Sequence, residues 1–328
     1  TVTIGLTMHL GPERFAAFRS IIAECGGRYH RETKTNRVGI EMVPRMVTLF
    51  RSAGLPCTLD ETLSQHLREN AEGAEKLARE GAARIAEVER LMLERGETLR
   101  PYQRTGIAWL APRLRALLGD DMGLGKTIQA LLALPPNAAV LIIAPGAVSA
   151  NWLAEAKRWR PDLRGSIAKG RNRFAWPQPG QLVVTTFGSM PGEVTKKEKG
   201  KRRQVIDELP LPPPGICLLG DEAHSLKDAT SVRGVRWGAL RDLVLEAQGR
   251  VWLLTGTPML NNRPKELWNV LEAARLGTEA FGSWPRFMAM FREEGDSGAQ
   301  GLATAQVPEL LQRVMLHRRK ADVLTELP

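Results

Sequence analysis

The sequence predicts an α/β fold in which a parallel sheet is flanked by helices, and two observations support this prediction. From residue 99 onward, apolar runs of strand length alternate with helical stretches, as they do in successive strand–helix–strand units. Loops rich in Gly, Thr and Asp follow these runs, and open parallel sheets bind ligands at the carboxyl ends of their strands. The predicted strands are Leu114–Leu118, Val140–Ala144, Leu182–Thr186, Ile216–Leu219 and Val251–Thr255.

Residues 1–57 predict a separate, small α+β domain. Its predicted elements are a strand at 1–8, a helix over Pro12–Cys25, a hairpin over 28–40 and a helix over Val43–Ser52. The pair Gly26-Gly27 provides the stop signal for the first helix, since glycine adopts the backbone conformation that ends helices.

Residues 58–98 predict a helical connector that packs on one face. Apolar residues recur there at steps of three and four, at Leu63, Leu67, Leu77, Ile85, Val88 and Met92. Thr58 and Glu61 match a capping box at its start, and Gly96 marks its end. Gly73 and Gly81 weaken the helix in between. The remaining residues, 99–328, form the predicted main domain.

Composition excludes several classes of protein. The longest apolar run, Ala138–Ala144, has the length of a strand and not of a membrane span, so no membrane association is expected. Three scattered cysteines and five histidines without ligand spacing argue against disulfides and against a structural metal. The N-terminus lacks the features of a secretory signal, and nothing in the sequence implies an oligomer.

The net charge of +10 is unevenly distributed. Residues 1–98 hold 14 basic and 14 acidic side chains, so residues 99–328 carry the whole excess, 32 basic against 22 acidic. A basic main domain favours a polyanionic partner, although a solvated surface would have the same composition. Two segments are the most basic: 157–173, with seven basic residues and one acidic, and 196–203, with six and one.

The segment GDDMGLGKT, between a predicted strand and a predicted helix, indicates a phosphate-binding loop. Gly123 and Gly125 can turn backbone N–H groups toward phosphates, Lys126 supplies a charge, and the Thr127 hydroxyl can reach Mg²⁺. The strict pattern has glycine where this chain has Asp120. A glycine-rich turn with an incidental lysine is the alternative. The residues predicted to contact the nucleotide here are Asp120, Asp121, Met122, Gly123, Leu124, Gly125, Lys126 and Thr127.

Two further loops follow predicted strands. In LLGDEAHSLKD, Asp221 would hold Mg²⁺ and Glu222 would orient and deprotonate the attacking water, with a coupling role for His224. A DEAH tetrapeptide alone could equally be an acidic helix start, but a phosphate-binding loop upstream strengthens the catalytic interpretation. In the loop Thr255-Gly256-Thr257-Pro258 the alternative is a simple turn. Its position at the same predicted edge of the sheet favours a part in the ligand site over a simple turn.

Together these segments resemble the first lobe of the sucrose-non-fermenting-type (Swi/Snf) ATPases, double-stranded-DNA translocases of helicase superfamily two. The resemblance covers residues 99–328 and rests on seven segments in order: RPYQRTGIAWL, DDMGLGKTIQA, LIIAPGAVSANWLAEAKRW, VVTTF, DEAHSLKD, LTGTPMLNN and MLHRRKADVLTELP. It implies a RecA-like (P-loop NTPase) lobe that uses ATP and Mg²⁺. The last segment and the phosphate-binding loop are most similar to the HepA-related annealing helicases and fork-remodelling proteins. Residues 1–57 also resemble the small accessory module of that branch, and a protein-interaction or stabilising domain is the alternative for them.

The resemblance also implies roles for individual residues. Gln103 would recognise adenine, with Arg100 or Tyr102 stacking nearby. The residues implied to follow DNA are Pro145, Gly146, Asn151, Thr185, Thr186 and Lys227, and those implied to couple DNA to the nucleotide are Lys227, His224, Thr255, Gly256 and Thr257. Trp152 and Trp159 would contact DNA or, equally well, pack in the core.

The chain departs from the family pattern in three respects. His317 stands where the family usually has an arginine, and Asp228 where asparagine is common. The second RecA-like lobe, which would carry arginine fingers and half of the DNA path, is missing from this chain. We expect the chain alone to be nearly inactive, because His317, Arg318 and Arg319 are predicted to lie at the exit of the lobe, away from the γ-phosphate.

The sequence therefore predicts the ATP-binding half of an enzyme that moves along or remodels double-stranded or branched DNA. One alternative is a nucleotide-gated DNA-binding module without turnover, and a second is a P-loop metabolic ATPase or kinase. The protein would be cytoplasmic and nucleoid-associated in a bacterium or phage, and nuclear in a eukaryote. The pathway, DNA repair among others, is left open by the sequence.

Overall fold

The computed structural model describes residues 2–6, 10–170, 174–191, 194–198, 201–205, 209–259, 263–291 and 307–323, with the backbone alone for 194–198 and 201–205. The chain divides into two compact units, Thr1–Glu75 with Phe281–Arg313, and Lys76–Ala280 with Val314–Pro328. Within the described ranges, no helix combines the length and the apolar composition needed to cross a membrane.

The first unit contains a three-stranded antiparallel sheet and helices beside it. The elements are β1 (Val2–Ile4), α1 (Pro12–Glu24), β2 (Arg28–His30), β3 (Thr35–Val38) and α2 (Val43–Ser52). Strand β3 lies between β1 and β2. The rings of Phe18 and Phe50 stack with their centroids 5.7 Å apart, which joins α1 to α2 in a buried core. The α+β character predicted for this part of the chain is confirmed.

Two short helices late in the chain, Trp284–Ala289 and Val307–Gln312, belong to the same first unit. Arg45 on α2 connects the second of them to the N-terminal elements, because its guanidinium bonds Glu24 at 2.7 Å and Glu309 at 2.5 Å. The first is connected through the pair Arg286–Glu41. The sequence does not predict this grouping, since the partners of Arg45 are remote along the chain.

Helix α3 (Glu61–Glu94) is a single helix of 34 residues. The predicted capping box at Thr58 is wrong, because the helix begins later and Asp60 caps it: Asp60 Oδ1 accepts a hydrogen bond from Leu63 N at 2.8 Å. Gly96 ends the helix as predicted, with a positive φ of 65° and with Glu97 N bonded to Met92 O at 2.9 Å.

The second unit is built on a parallel sheet with helices α4 (Pro101–Leu110), α5 (Lys126–Ala133), α6 (Ser149–Trp159), α7 (Val232–Glu246) and α8 (Pro264–Glu272). The strands that match predicted ones are β4 (Arg115–Leu118), β5 (Val140–Ala144), β7 (Gln181–Thr186), β10 (Cys217–Asp221) and β11 (Arg250–Leu254). The strands absent from the prediction are β6 (Arg164–Ile167), β8 (Val194–Glu198), β9 (Lys201–Val205) and β12 (Met315–Leu316). Of these, β8 and β9 form a separate antiparallel pair.

The seven-stranded sheet has the order β12-β4-β11-β10-β5-β7-β6, and every neighbouring pair is parallel. The sequence missed its two outer strands for physical reasons. β6 is exposed along its whole length and so lacks an apolar run, and β12 has only two residues. The inner strands β4, β5, β10 and β11 are almost entirely buried, as expected for a sheet covered on both faces.

The register of the sheet places the predicted site loops at one edge. Leu118 pairs with Leu254, and Leu254 pairs with Asp221, so β4, β11 and β10 end side by side. Ala144 pairs with Thr186 in the same way at the ends of β5 and β7. The five loops that follow these strands therefore leave the sheet at its carboxyl edge, as the sequence predicts.

Candidate nucleotide-binding and hydrolysis site

Residues 119–125 connect β4 to α5 and have the geometry of a phosphate-binding loop. Gly123 and Gly125 have φ angles of 88° and 71°, which favour glycine and turn the backbone sharply. A side chain at Gly125 would also lack space, since its Cβ would lie 2.9 Å from Gln103 Nε2. Because α5 begins directly at Lys126, its unpaired N–H groups border the loop, and such a helix end attracts phosphate.

The amine of Lys126 lies within this loop. Its Nζ donates to the backbone carbonyl of Asp120 at 2.7 Å and to that of Asp121 at 3.3 Å. Burial lowers the pKa of this ammonium group, and the carboxylates of Glu222, Asp120, Asp221 and Asp121 oppose that shift. The lysine and the Asp221–Glu222 pair thus act on one another although they lie far apart in the sequence.

Asp120, which stands where the strict pattern has glycine, is fully buried and bonded at both carboxylate oxygens. Arg318 Nε donates to Oδ1 at 2.9 Å, while a second guanidinium nitrogen and Gln129 Nε2, at 3.2 Å, donate to Oδ2. A buried carboxylate needs such partners, because an unpaired charge is costly to remove from water. The sequence predicts Asp120 as a nucleotide contact, but its carboxylate is committed to Arg318 and only its carbonyl faces Lys126.

Residues 315–320 run beside the phosphate-binding loop. The backbone N–H groups of Gly119 and Asp121 donate to carbonyls of this segment at 2.7 and 3.0 Å. The predicted position of His317 and Arg318, at the exit of the lobe, therefore needs correction: both contact the loop region, His317 through the carbonyl of Gly119 at 2.5 Å. The parallel pairing of β12 with β4 brings this segment to the loop. The sequence does not predict the pairing, because a strand of two residues is too short to be recognised from its composition.

The remaining loop residues differ in what they expose. The side chain of Leu124 is fully buried, so its predicted contact with the nucleotide could involve only its backbone. Met122 is 70% exposed. It lies against the loop after β11, since a Cβ on Gly256 would come within 3.0 Å of Met122 Cγ. Thr127 is partly buried in the first turn of α5, next to Lys126.

The acidic pair lies at the end of β10, where Asp221 is the last residue of the strand. Its Oδ2 accepts a hydrogen bond from Trp152 Nε1 at 2.8 Å, and its Oδ1 accepts one from Glu222 N at 2.9 Å. Glu222 has a positive φ of 51°, an uncommon conformation for a residue other than glycine. Its carboxylate lies 3.2 Å from His224 Nδ1.

The residues predicted to couple the sites form one chain of contacts. His224 Nδ1 lies 3.4 Å from the hydroxyl of Thr255, which is fully buried at the end of β11. That hydroxyl accepts a hydrogen bond from Thr257 N at 3.1 Å. These contacts connect Thr257, through Thr255 and His224, to the carboxylate of Glu222.

The three residues implied to recognise adenine lie at the start of α4. Gln103 Oε1 accepts a hydrogen bond from Arg100 N at 3.0 Å, which caps the helix and leaves the side-chain amide against Gly125. Arg100 is exposed. Tyr102 is 9% exposed and its ring packs 5.6 Å from the guanidinium carbon of Arg318, so it has little surface left for stacking on a base.

Among the residues implied to follow DNA, two occupy positions that do not suit that role. The Thr185 hydroxyl is buried and donates to Ala168 O at 3.1 Å. Lys227 Nζ lies 3.6 Å from Glu266 Oε1, which competes for its charge. Gly146 and Asn151 are exposed, Pro145 and Thr186 are partly exposed, and Gly146 adjoins Thr186 across the sheet edge.

The basic segments offer fewer free charges than their composition suggests. Arg160 is buried and bonds the carbonyls of Leu131, Leu134 and Pro135 behind α5. Arg158 pairs with Glu97 at 2.6 Å. Residues 171–173 and the side chains of 196–203 lie outside the described residues, as do 260–262 and 324–328 of the family-like segments. Trp152 and Trp159 are buried, which agrees with core packing for both.

The donor set fits Mg·ATP. No cluster of three or more His, Cys, Asp or Glu side chains that could hold a metal occurs among the described residues. Protein Mg²⁺ sites commonly use one or two carboxylates and complete the shell with water and substrate phosphates. Thr127, which follows Lys126 in the chain, and Asp221, whose charge acts on Lys126, match that pattern.

A family model for the SNF2-related domain matches residues 102–328. The chain belongs to the SNF2-related family. A solved structure of the Sulfolobus solfataricus SWI2/SNF2 ATPase core domain is similar in fold, with a TM-score of 0.51 and 23% sequence identity over 70% of this chain and 46% of that one. The predicted family and the RecA-like fold are thereby confirmed.

Curated SNF2-related relatives include proteins of several kinds. The ISWI chromatin-remodeling complex ATPase ISW1 of Saccharomyces cerevisiae is 31% identical over 70% of this chain and 20% of its own length. The DNA annealing helicase and endonuclease ZRANB3 of Mus musculus is 31% identical over 70% of this chain and 22% of its own. The chain thus spans about a fifth of the length of these relatives. Equal identities do not separate the branches, so the HepA-related branch stays a prediction.

Proposed function

We propose that this chain is the ATP-binding half of an ATP-dependent double-stranded-DNA translocase, with an ATP hydrolysis site at the carboxyl edge of its sheet. The observation that carries the proposal is that Lys126 and the Asp221–Glu222 pair come from two separate strand–loop units, which the register of the sheet brings to its carboxyl edge. Membership of the SNF2-related family supports it.

Each group has a chemical task in this proposal. Lys126 and the loop N–H groups bind the β- and γ-phosphates, and Thr127 and Asp221 hold Mg²⁺, which neutralises charge on the phosphates when bound. Glu222 accepts a proton from the attacking water. The water oxygen bonds to the γ-phosphorus as the bond to the β–γ bridging oxygen breaks, which releases ADP and phosphate.

DNA is the proposed second ligand, and three observations support it. A relative is named as a DNA annealing helicase, the excess positive charge falls on residues 99–328, and Gly146, Asn151 and Thr186 expose surface at or near the ends of β5 and β7. Because the proposed contacts are to backbone phosphates, binding is sequence-independent. Residues 1–57 act as an accessory domain and 58–98 as a connector in this proposal, with 99–328 as the ATP-binding lobe.

Two substitutions test the hydrolysis site. Lys126→Ala should abolish measurable ATP binding, whereas Glu222→Gln should keep binding and lose hydrolysis, because Lys126 meets phosphate in the ground state and Glu222 acts on water in the transition state. Fluorescence titration with an ATP analogue and phosphate release measure the two effects. Wild-type affinity in the Lys126 variant would refute the assignment. In a chain extended through a second RecA-like lobe, turnover that Glu222→Gln leaves unchanged would contradict the role of Glu222.

A further inference from the structure

Trp152 connects α6 to the acidic pair at the end of β10. Its indole is fully buried, and its Nε1 donates to Asp221 Oδ2 at 2.8 Å. The partner lies 69 residues away along the chain. The other oxygen of Asp221 accepts a hydrogen bond from the neighbouring Glu222 N at 2.9 Å. Two donors from two elements therefore hold the two oxygens of one carboxylate.

This contact differs from the hydrogen bonds of two other fully buried tryptophans in the lobe. Trp237 Nε1 and Trp252 Nε1 donate to backbone carbonyls, those of Ala273 at 2.7 Å and Arg113 at 2.8 Å. Any buried indole needs an acceptor, and a neutral carbonyl is sufficient for packing. Trp152 instead donates to a charged carboxylate, and such a bond is stronger than one between neutral groups.

We propose that Trp152 is a positioning residue for metal binding: its indole N–H fixes the orientation of the Asp221 carboxylate for the Mg²⁺ that accompanies the nucleotide. An aspartate side chain rotates freely about its terminal bond unless donors hold both oxygens. In metal sites, donors behind a ligand fix its orientation, and their removal commonly weakens metal binding about 10–100-fold. This inference rests on the proposed function, since it assigns Asp221 to Mg²⁺.

The same helix offers a matched control. Trp159 lies two turns further along α6 and is also buried, but its Nε1 donates to Glu155 Oε2 at 2.6 Å within the helix. Trp152→Phe and Trp159→Phe each remove one indole N–H and a similar volume from the same element. Only the first leaves Asp221 without a donor on Oδ2.

The first experiment measures binding of a fluorescent, non-hydrolysable ATP analogue with Mg²⁺ and with EDTA. Trp152→Phe should weaken binding about tenfold in Mg²⁺ and leave the affinity in EDTA unchanged. Trp159→Phe should match wild type in both. Wild-type affinity for Trp152→Phe in Mg²⁺, or an equal loss with and without the metal, would overturn the inference and assign Trp152 to packing alone.

A second measurement uses the wild-type chain and so does not depend on the folding of a variant. The assigned indole N–H resonance of Trp152 should shift when the analogue is added with Mg²⁺ but not with EDTA, and that of Trp159 should stay in place. A Trp152 resonance that responds equally in both conditions would contradict the inference. If wild type binds no nucleotide, or Lys126→Ala binds it normally, the proposed function fails instead.

Discussion

At the scale of single residues, the site retains two groups in unfavourable states. Glu222 holds a left-handed backbone conformation, which costs an L-residue on the order of 1–2 kcal/mol. Lys126 keeps an ammonium group where burial disfavours its charge. Residues in such states persist when the surrounding structure determines them, and they cluster at functional sites. Here β10 and the turn after it hold Glu222 in place. Ser225 N closes that turn by donating a hydrogen bond to Glu222 O at 2.9 Å.

Lys126 leads to a prediction about pH. Its pKa is lowered from 10.5 by burial, so nucleotide affinity should fall as pH rises through that lowered pKa, where the phosphates lose their ammonium partner. The stability effect has the opposite sign. In the unfolded chain the Lys126 amine keeps its proton up to a pH of about 10.5. In the folded protein the amine becomes neutral at a lower pH, so the unfavourable contribution of its buried charge to folding is relieved between the lowered pKa and 10.5.

Titration of ATP-analogue affinity against pH checks this prediction, and Lys126→Arg is the control. A guanidinium stays protonated over the whole range, so any affinity that this variant retains should not decline in the same window. A parallel decline in both proteins would show that another group is responsible.

At the scale of elements, two glycines in α3 have opposite roles although both look like weak points in a helix. A Cβ on Gly81 would lie 2.2 Å from the carbonyl oxygen of Ala108, so glycine there allows α4 to approach α3 closely. A Cβ on Gly73 would meet nothing within 4 Å. The same residue type is thus required at one position and replaceable at the other.

We expect Gly73→Ala to raise the free energy of unfolding by about 0.5–1 kcal/mol, the helix-propensity difference between the two residues. Gly81→Ala should lower it, by about 1–3 kcal/mol, because α3 and α4 must move apart. Urea denaturation of both variants against wild type measures the effects. Equal stabilisation by the two substitutions would show that α3 does not pack on α4 at Gly81.

The segment at 315–320 provides a second prediction at this scale, through the buried pair Asp120–Arg318. Arg318→Met should lower the free energy of unfolding by about 3–5 kcal/mol, since it leaves the Asp120 carboxylate buried without its cation. Arg319→Met is the control, because Arg319 is exposed and pairs only with the nearby Asp322, at 2.9 Å. Urea denaturation that finds equal, small losses for both would contradict the role assigned to the pair.

At the scale of the whole molecule, the described residues supply the phosphate-binding loop and the acidic pair of the proposed hydrolysis site. Arg318, which contacts the phosphate-binding loop, is bonded to Asp120 and Gln129 and so is not free to stabilise charge on a transferred phosphoryl group. In related sites such an arginine changes the rate by on the order of 10³–10⁵. We therefore expect this 328-residue chain alone to hydrolyse ATP slowly, with little stimulation by duplex DNA.

Steady-state phosphate release, with and without duplex DNA, tests this expectation on the chain itself and on the chain extended through a second RecA-like lobe. The extended protein should turn over faster by at least 10³ with DNA, on the order of an added arginine. Glu222→Gln in the extended protein should return the rate to background. A short chain that already reaches the DNA-stimulated rate would contradict the two-lobe mechanism.

The sequence by itself determined the fold class, the five inner strands and the order of the site loops. These follow from local signals: apolar runs mark buried strands, and glycine, lysine and acidic residues follow them at recognisable spacing. The membership of the SNF2-related family follows from the same segments.

Only the tertiary structure decided the partners of charged and buried groups. The pairing of Asp120 with Arg318, the bond from Trp152 to Asp221 and the approach of α4 at Gly81 all join residues distant in the chain. The two outer strands are equally invisible in the sequence, because a polar or two-residue strand is defined by its neighbour and not by its own composition. Local patterns report what a residue prefers, whereas its contacts depend on which elements the fold brings together.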